Sequence, residues 1–158
     1  MNKDIKVGIG EMKIARREGT LITYALGSCV GITIYDPGIK LAALIHILLP
    51  EAGANAGGNL FKFADTAIRE TLRKMDVFGG VKSRYQCKIA GGAKMFQIDG
   101  SIGNIGDRNI QMVEKVLSEE HIRIIKKDVG GNYARTMLID AETGTVRVRT
   151  SNRQEIIL

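Results

Sequence analysis

Three residue types able to do nucleophilic chemistry stand close together in the first third of the chain: Thr23, Cys29 and His46. A free thiol is mostly protonated near neutral pH, whereas an adjacent imidazole can take its proton and leave a thiolate nucleophile. The segments around them form a hairpin signal. Val30-Gly31-Ile32-Thr33-Ile34-Tyr35 alternates, Asp36-Pro37-Gly38-Ile39 reads as a turn, and Lys40 to Leu49 is an apolar run that Pro50 ends. With Pro37 and Gly38 as the two central turn residues, antiparallel partners have residue numbers that sum to 75, and 29 + 46 = 75. That register sets Cys29 opposite His46 on one face, with Cβ atoms ~4.5–5.5 Å apart. A different turn or a bulge moves it.

Thr23, six residues before Cys29 on the preceding strand, can offer an oxygen acceptor to the second ring nitrogen of the histidine. Gly27 and Ser28 let the backbone turn tightly and aim N–H groups at a developing oxyanion. A plainer reading makes Cys29 a packing thiol and His46 a hydrogen-bonded core residue, and the residue types alone leave both open. Cys87, between Gln86 and Lys88, reads as a packing cysteine, and His121, after Glu119 and Glu120, as a solvated one.

Competing chemistries lack their signatures. Gly8-Ile9-Gly10 has no third glycine at the dinucleotide-loop spacing, and the evenly spaced Gly100, Gly103 and Gly106 lack a Gly-Lys-Ser/Thr ending. Cys29, His46, Cys87 and His121 contain no paired zinc knuckle. The expectation is no metal and no cofactor.

A length of 158 residues, 44% hydrophobic and 25% charged, describes one folded domain over 1–158 with a core of its own. Lys plus Arg exceed Asp plus Glu by 23 − 17 = 6, which favours an acidic partner. The basic residues are dispersed and there is no Trp, which argues against a nucleic-acid surface. The apolar run Leu41 to Leu49 falls well short of the ~20 residues that span a bilayer. Met1-Asn2-Lys3-Asp4 does not begin a secretory signal, so a cytoplasmic location with reduced thiols is expected.

The elements that must position these residues follow from periodicity. Strands are expected at Lys6 to Gly10, Gly19 to Leu26, Val30 to Tyr35, Lys40 to Leu49, Tyr85 to Ala90, His121 to Lys127, Met137 to Asp140 and Val146 to Thr150, with a basic connection at Lys13 to Glu18. One helix runs from Leu60 through Met75 to Gly79-Gly80. A second is capped by Asp107 and turns Ile110, Val113 and Leu117 to one side. Short turns between neighbouring strands predict an α+β domain whose sheet is mixed and largely antiparallel, with helices packed outside.

Leu26-Gly27-Ser28-Cys29-Val30 followed by His46-Ile47-Leu48-Leu49-Pro50 resembles the chemoreceptor glutamine deamidases, the CheD family of bacterial and archaeal chemotaxis. The likeness continues through Val7 to Glu11, Ala64 to Ala67, Gly91 to Phe96, Ile105 to Asn109 and Asp128 to Gly131. It implies a β-sandwich-like α/β fold similar to the catalytic domain of cytotoxic necrotizing factor toxins. It also implies Cys29 as nucleophile, His46 as base and Thr23 as the third member of a triad. The implied substrate is a glutamine side chain of a chemoreceptor, deamidated through a thioester, with methyl-ester hydrolysis an additional possibility at the same site. The family also binds and stimulates the CheC phosphatase, which implies an alternative role as a regulatory binding partner. Gly91 to Phe96 reads equally as a wall of the substrate groove or as a structural turn.

Overall fold

The computed structural model describes residues 4–55, 57–95, 104–151 and 153–158. Ten strands and two helices are named among them: β1 (Asp4–Lys6), β2 (Met12–Arg16), β3 (Thr20–Leu26), β4 (Val30–Asp36), β5 (Leu41–Ile47), α1 (Ala64–Val77), β6 (Gln86–Gly91), α2 (Ile105–Glu119), β7 (Ile124–Val129), β8 (Arg135–Asp140), β9 (Val146–Arg149) and β10 (Ile156–Ile157). One sheet runs β1-β3-β8-β9-β10 and the other β2-β5-β4-β6-β7. Among the named strands of the described residues, only the β1–β3 and β6–β7 pairs are parallel, so both sheets are mixed and largely antiparallel.

The sequence explains the layering. Every residue of β4 and β5 is buried, as an apolar run covered on both faces requires. Val30, Ile32, Ile34, Ala43, Ile45 and Ile47 face α1 and α2, meeting Ala67, Ile68, Met75, Val113 and Leu117. The alternate residues Tyr35, Ala42 and Leu44 face the first sheet and pack on Leu21, Leu26, Met137 and Ile139. The result is a helix layer on a two-sheet sandwich. Among the described residues no helix is long and apolar enough to cross a membrane.

Several local expectations are corrected. The basic connection at 13–18 is largely strand: β2 closes an edge, with Lys13 and Arg16 exposed while Met12 and Ile14 lean on the helix-side core. Exposed charges along an edge strand discourage further pairing. The strand expected at Lys6 to Gly10 ends at Lys6, and the following Gly8-Ile9-Gly10 folds as a turn held by the Gly8 N–H donating to the Glu11 carboxylate at 2.7 Å. The short β10 shows no alternation long enough to be read in advance. Helix α1 starts at Ala64 rather than Leu60, because Leu60–Lys62 forms a separate 3₁₀ turn capped by Asn59 and Phe63 bridges to Leu49. Asp107 does not cap α2; it sits in the first turn, where its charge still favours the helix dipole. His121 is exposed, Cys87 is fully buried, and the loop glycines 100 and 103 lie outside the described residues.

The β4–β5 turn matters most. Asp36 pairs with Leu41 and Val30 with Ile47, so partners sum to 77, not 75. Residues 37–40 make a four-residue turn, with Lys40 at φ 53°, instead of a two-residue one. Asp36 dictates this. Its fully buried carboxylate accepts hydrogen bonds from Gly38 N, Val81 N and both Nε and Nη2 of Arg84, all at 2.8–2.9 Å. Burial raises its pKa, but the Arg84 side chain and the two backbone N–H groups outweigh that and hold it below the ordinary carboxylate range.

Removing this carboxylate strands two backbone donors and a guanidinium. Asp36→Ala should lower the free energy of unfolding by about 3 kcal/mol, read from urea denaturation midpoints.

Candidate active site

The site forms where the chain crosses from the first sheet to the second. In β3, Thr23 pairs with Met137 and Leu26 with Arg135, so three steps along β3 match two along β8. The extra residue is a bulge, with Ala25 at φ 58° and Gly27 N–H donating back to Ala25 O at 3.0 Å. Strict alternation would put Thr23 and Leu26 on opposite faces. The bulge lets both point inward, fully buried, while Tyr24 and Ala25 stay exposed.

Thr23 reaches across the sandwich to His46 on β5. Its hydroxyl lies 2.6 Å from Val7 O and 2.6 Å from His46 Nδ1. A hydroxyl has one proton, and the Val7 carbonyl accepts only, so that proton goes to Val7. Toward the imidazole Thr23 must therefore accept. His46 consequently carries its proton on Nδ1 and presents a bare Nε2, which is buried and has no hydrogen-bond partner among the described residues. The backbone of His46 is held on β2's approach: Gly10 N donates to His46 O at 2.8 Å and His46 N to Glu11 O at 3.0 Å.

Cys29 sits one residue before β4, with only 6% of its surface exposed. The observed register places Gly31, not Cys29, directly opposite His46. The shift of two leaves parity intact, so Cys29 remains on the inter-sheet side, diagonal to His46, and among the described residues no hydrogen bond joins its thiol to the imidazole. Gly31 keeps the opposing position free of a side chain; a Cβ there would meet Met137 Sδ at 2.8 Å and Leu26 Cδ1 at 3.0 Å.

Consecutive carbonyls anchor the cysteine loop. Ala93 N donates to Gly27 O at 2.8 Å, Asn109 Nδ2 to Ser28 O at 2.9 Å, and Gly92 N to Cys29 O at 2.8 Å. Gly91 has φ 110°, and a Cβ on it would come within 2.3 Å of Cys29 O. The 91–93 segment thus serves as a backbone staple beneath the loop, while Phe96 lies outside the described residues. Of the two residues expected to hold an oxyanion, Gly27 has its N–H committed to Ala25 O. Sequence reasoning gives no role to Val7, which acts through a carbonyl every residue possesses, or to Asn109.

Burial sets the protonation states. It lowers the His46 pKa to about 4 and raises that of the Cys29 thiol, against which the Cys29 backbone N–H pulls more weakly. At neutral pH the pair rests as thiol and neutral imidazole. Cys87 is pushed up strongly by complete burial and is inert. Among the described residues no three His, Cys, Asp or Glu side chains group so as to hold a metal ion. The arrangement offers what thiol hydrolysis needs: a cysteine in a stapled loop and an oriented neutral imidazole on the same side of the sheet.

The model of the family described as CheD chemotactic sensory transduction matches residues 48–150. A protein of Clostridium botulinum named "Probable chemoreceptor glutamine deamidase CheD" is 46% identical over 151 residues, covering 94% of this chain and 93% of its own. Proteins of the same name from Syntrophomonas wolfei and Pyrococcus abyssi are 44% and 43% identical, covering 100% of both chains and 94% and 93% respectively. This chain belongs to the CheD family.

Burial of His46 has a consequence for stability. Its folded pKa, about 4, lies below the ordinary 6.5, so between these values the unfolded chain binds the proton and the folded chain does not. Stability therefore rises with pH across this window and is lost as pH falls. The wild type should lose about 3 kcal/mol more than His46→Gln between pH 7 and pH 4, measured by urea unfolding at each pH.

Proposed function

We propose that the chain, as one domain over residues 1–158, is a protein-glutamine deamidase that converts glutamines of chemoreceptors to glutamate in the cytoplasm. The observation that carries this reading is the fixed tautomer of His46: Thr23 gives its proton to Val7 O, and Nε2 is left as a buried, unoccupied base. The names of the relatives supply the substrate class.

In the proposed mechanism Cys29 Sγ attacks the side-chain amide carbon of the glutamine as His46 Nε2 takes the thiol proton. A neutral resting pair suits this order, since the proton moves only when the nucleophile does. Negative charge gathers on the carboxamide oxygen, with the backbone N–H groups of Ser28 and Cys29 as its donors. The C–N bond then breaks while imidazolium protonates the leaving nitrogen, releasing ammonia and leaving a thioester on Cys29. Neutral His46 next removes a proton from water, which adds to the thioester carbon. The C–S bond breaks, the sulfur regains a proton, and glutamate leaves. A methyl ester would follow the same path with methanol as leaving group, so receptor methylesterase activity belongs to the same reading.

The positive formal charge of +6 supports docking on an acidic helical surface. A regulatory role toward a CheC-type phosphatase differs in one respect: it needs no reactive Cys29.

Receptor cytoplasmic fragments incubated with wild type should gain glutamate at defined glutamines by mass spectrometry, whereas Cys29→Ala should convert none. Equal binding with no conversion by either protein, on amide or methyl-ester substrates, would favour the regulatory role. Thr23→Val, which frees the tautomer, should lower kcat about 100-fold. The acid limb of kcat/KM should fall near pH 4 rather than 6.5, because His46 stays neutral until then.

A further inference from the structure

We infer that Asn109 of α2 is a positioning residue that sets the cysteine loop against the histidine strand. This rests on the reading of Cys29 as the nucleophile and His46 as its base. The β4–β5 ladder ends at Val30 with Ile47, so neither Cys29 nor the residues after Ile47 are held by it. Beyond that point the two strands diverge: Leu48 and Leu49 turn their N–H groups to Lys62 O, and the cysteine loop turns toward the 91–93 staple. The staple fixes the loop to β6 but makes no bond to the histidine strand.

Asn109 makes the missing connection. Its Nδ2 donates to Ser28 O at 2.9 Å and to Leu48 O at 3.0 Å. One acceptor belongs to the residue before the thiol, the other to the second residue after the imidazole. Two carbonyls facing one another cannot bond directly, and only a group with two donors can bridge them. A neutral carboxamide does this without burying a charge. The same two acceptors decide which way the amide lies, leaving Oδ1 buried and unpartnered.

The helix is shaped to deliver this group. One turn earlier, Gly106 lies against the staple so closely that a Cβ would come within 2.5 Å of Ala93 O and 2.6 Å of Gly92 O. Gly106 brings α2 down on the staple, and Asn109, three residues on and on the same face, then enters between the strands. Asn109 is fully buried. Its deletion therefore severs a rung joining nucleophile and base while β4, β5 and the staple remain.

The test compares full-length wild type, Asn109→Leu, Asn109→Ala and Met75→Ala, the last a core variant of α1 remote from the loop. Urea midpoints report stability, and iodoacetamide alkylation of Cys29 reports thiol–imidazole geometry without any substrate; fully buried Cys87 serves as the unreactive internal control. Positioning predicts that Asn109→Leu loses about 100-fold in kcat, keeps KM within about threefold, and slows Cys29 alkylation about tenfold, with its pH dependence altered. Met75→Ala should lose stability yet keep kcat and alkylation rate. If the Asn109 variants match Met75→Ala in both rates, Asn109 is merely structural and the inference falls. If wild type alkylates under His46 control but converts no receptor glutamine, the deamidase reading falls and the alkylation comparison still decides the role of Asn109.

Discussion

Thr23 has one hydroxyl proton, and its destination organises the interior of the protein. Sending it to Val7 O obliges the threonine to accept from His46 Nδ1, which empties Nε2. That pair of bonds joins three separate pieces of chain. Val7 follows β1, is itself placed by donating to Ile22 O at 2.8 Å, and reaches Thr23 because β1 runs parallel beside β3. His46 stands on the other sheet. The two sheets must therefore pack face to face, with the spacing that Leu21, Leu44, Met137 and Ile139 set between them, before the hydroxyl can meet the ring. Core packing and orientation of the imidazole are one constraint.

The dryness of this interface also sets the chemistry. A buried imidazole resists protonation and a buried thiol resists ionisation, so the same desolvation keeps both partners neutral. In an exposed site the pair would gain less from orientation and the imidazole would titrate near its ordinary value. Here the imidazole stays neutral through the physiological range. The cost is an unsatisfied acceptor inside the sandwich, tolerable because Val7 and Thr23 complete the rest of the network.

Around the thiol the backbone does the positioning. The bulge at Ala25 reorients β3, the carbonyls of Gly27, Ser28 and Cys29 are each bound, and glycines stand where a side chain would strike the loop or its staple. Gly91 and Gly106 are required by close approach, one beneath Cys29 O and the other against Gly92 and Ala93. Because all three carbonyls are consumed on the staple and helix side, the backbone of the loop has little freedom to move.

Strand content and the α+β layering were legible because they follow from local alternation, and Thr23, Cys29 and His46 stood out as candidates by residue type. The β4–β5 hairpin shows the boundary. Its strands were plain, but its register depended on Asp36, whose partners Val81 and Arg84 lie far along the chain and impose a four-residue turn. The expected facing pair became a diagonal one, and parity survived only because the slip was two residues. Edge strand β2 was hidden by its charges Lys13 and Arg16, which interrupt any alternation. By itself the sequence determined which side chains could act and which segments would be strands, since residue type and periodicity are local properties. Only the tertiary structure decided the proton's route from Thr23 to Val7, the emptiness of Nε2 and the bridge from Asn109 to Ser28 and Leu48. Those rest on backbone carbonyls, which carry no residue-specific signature, and on contacts between sheets and helix that exist only when the layers have packed.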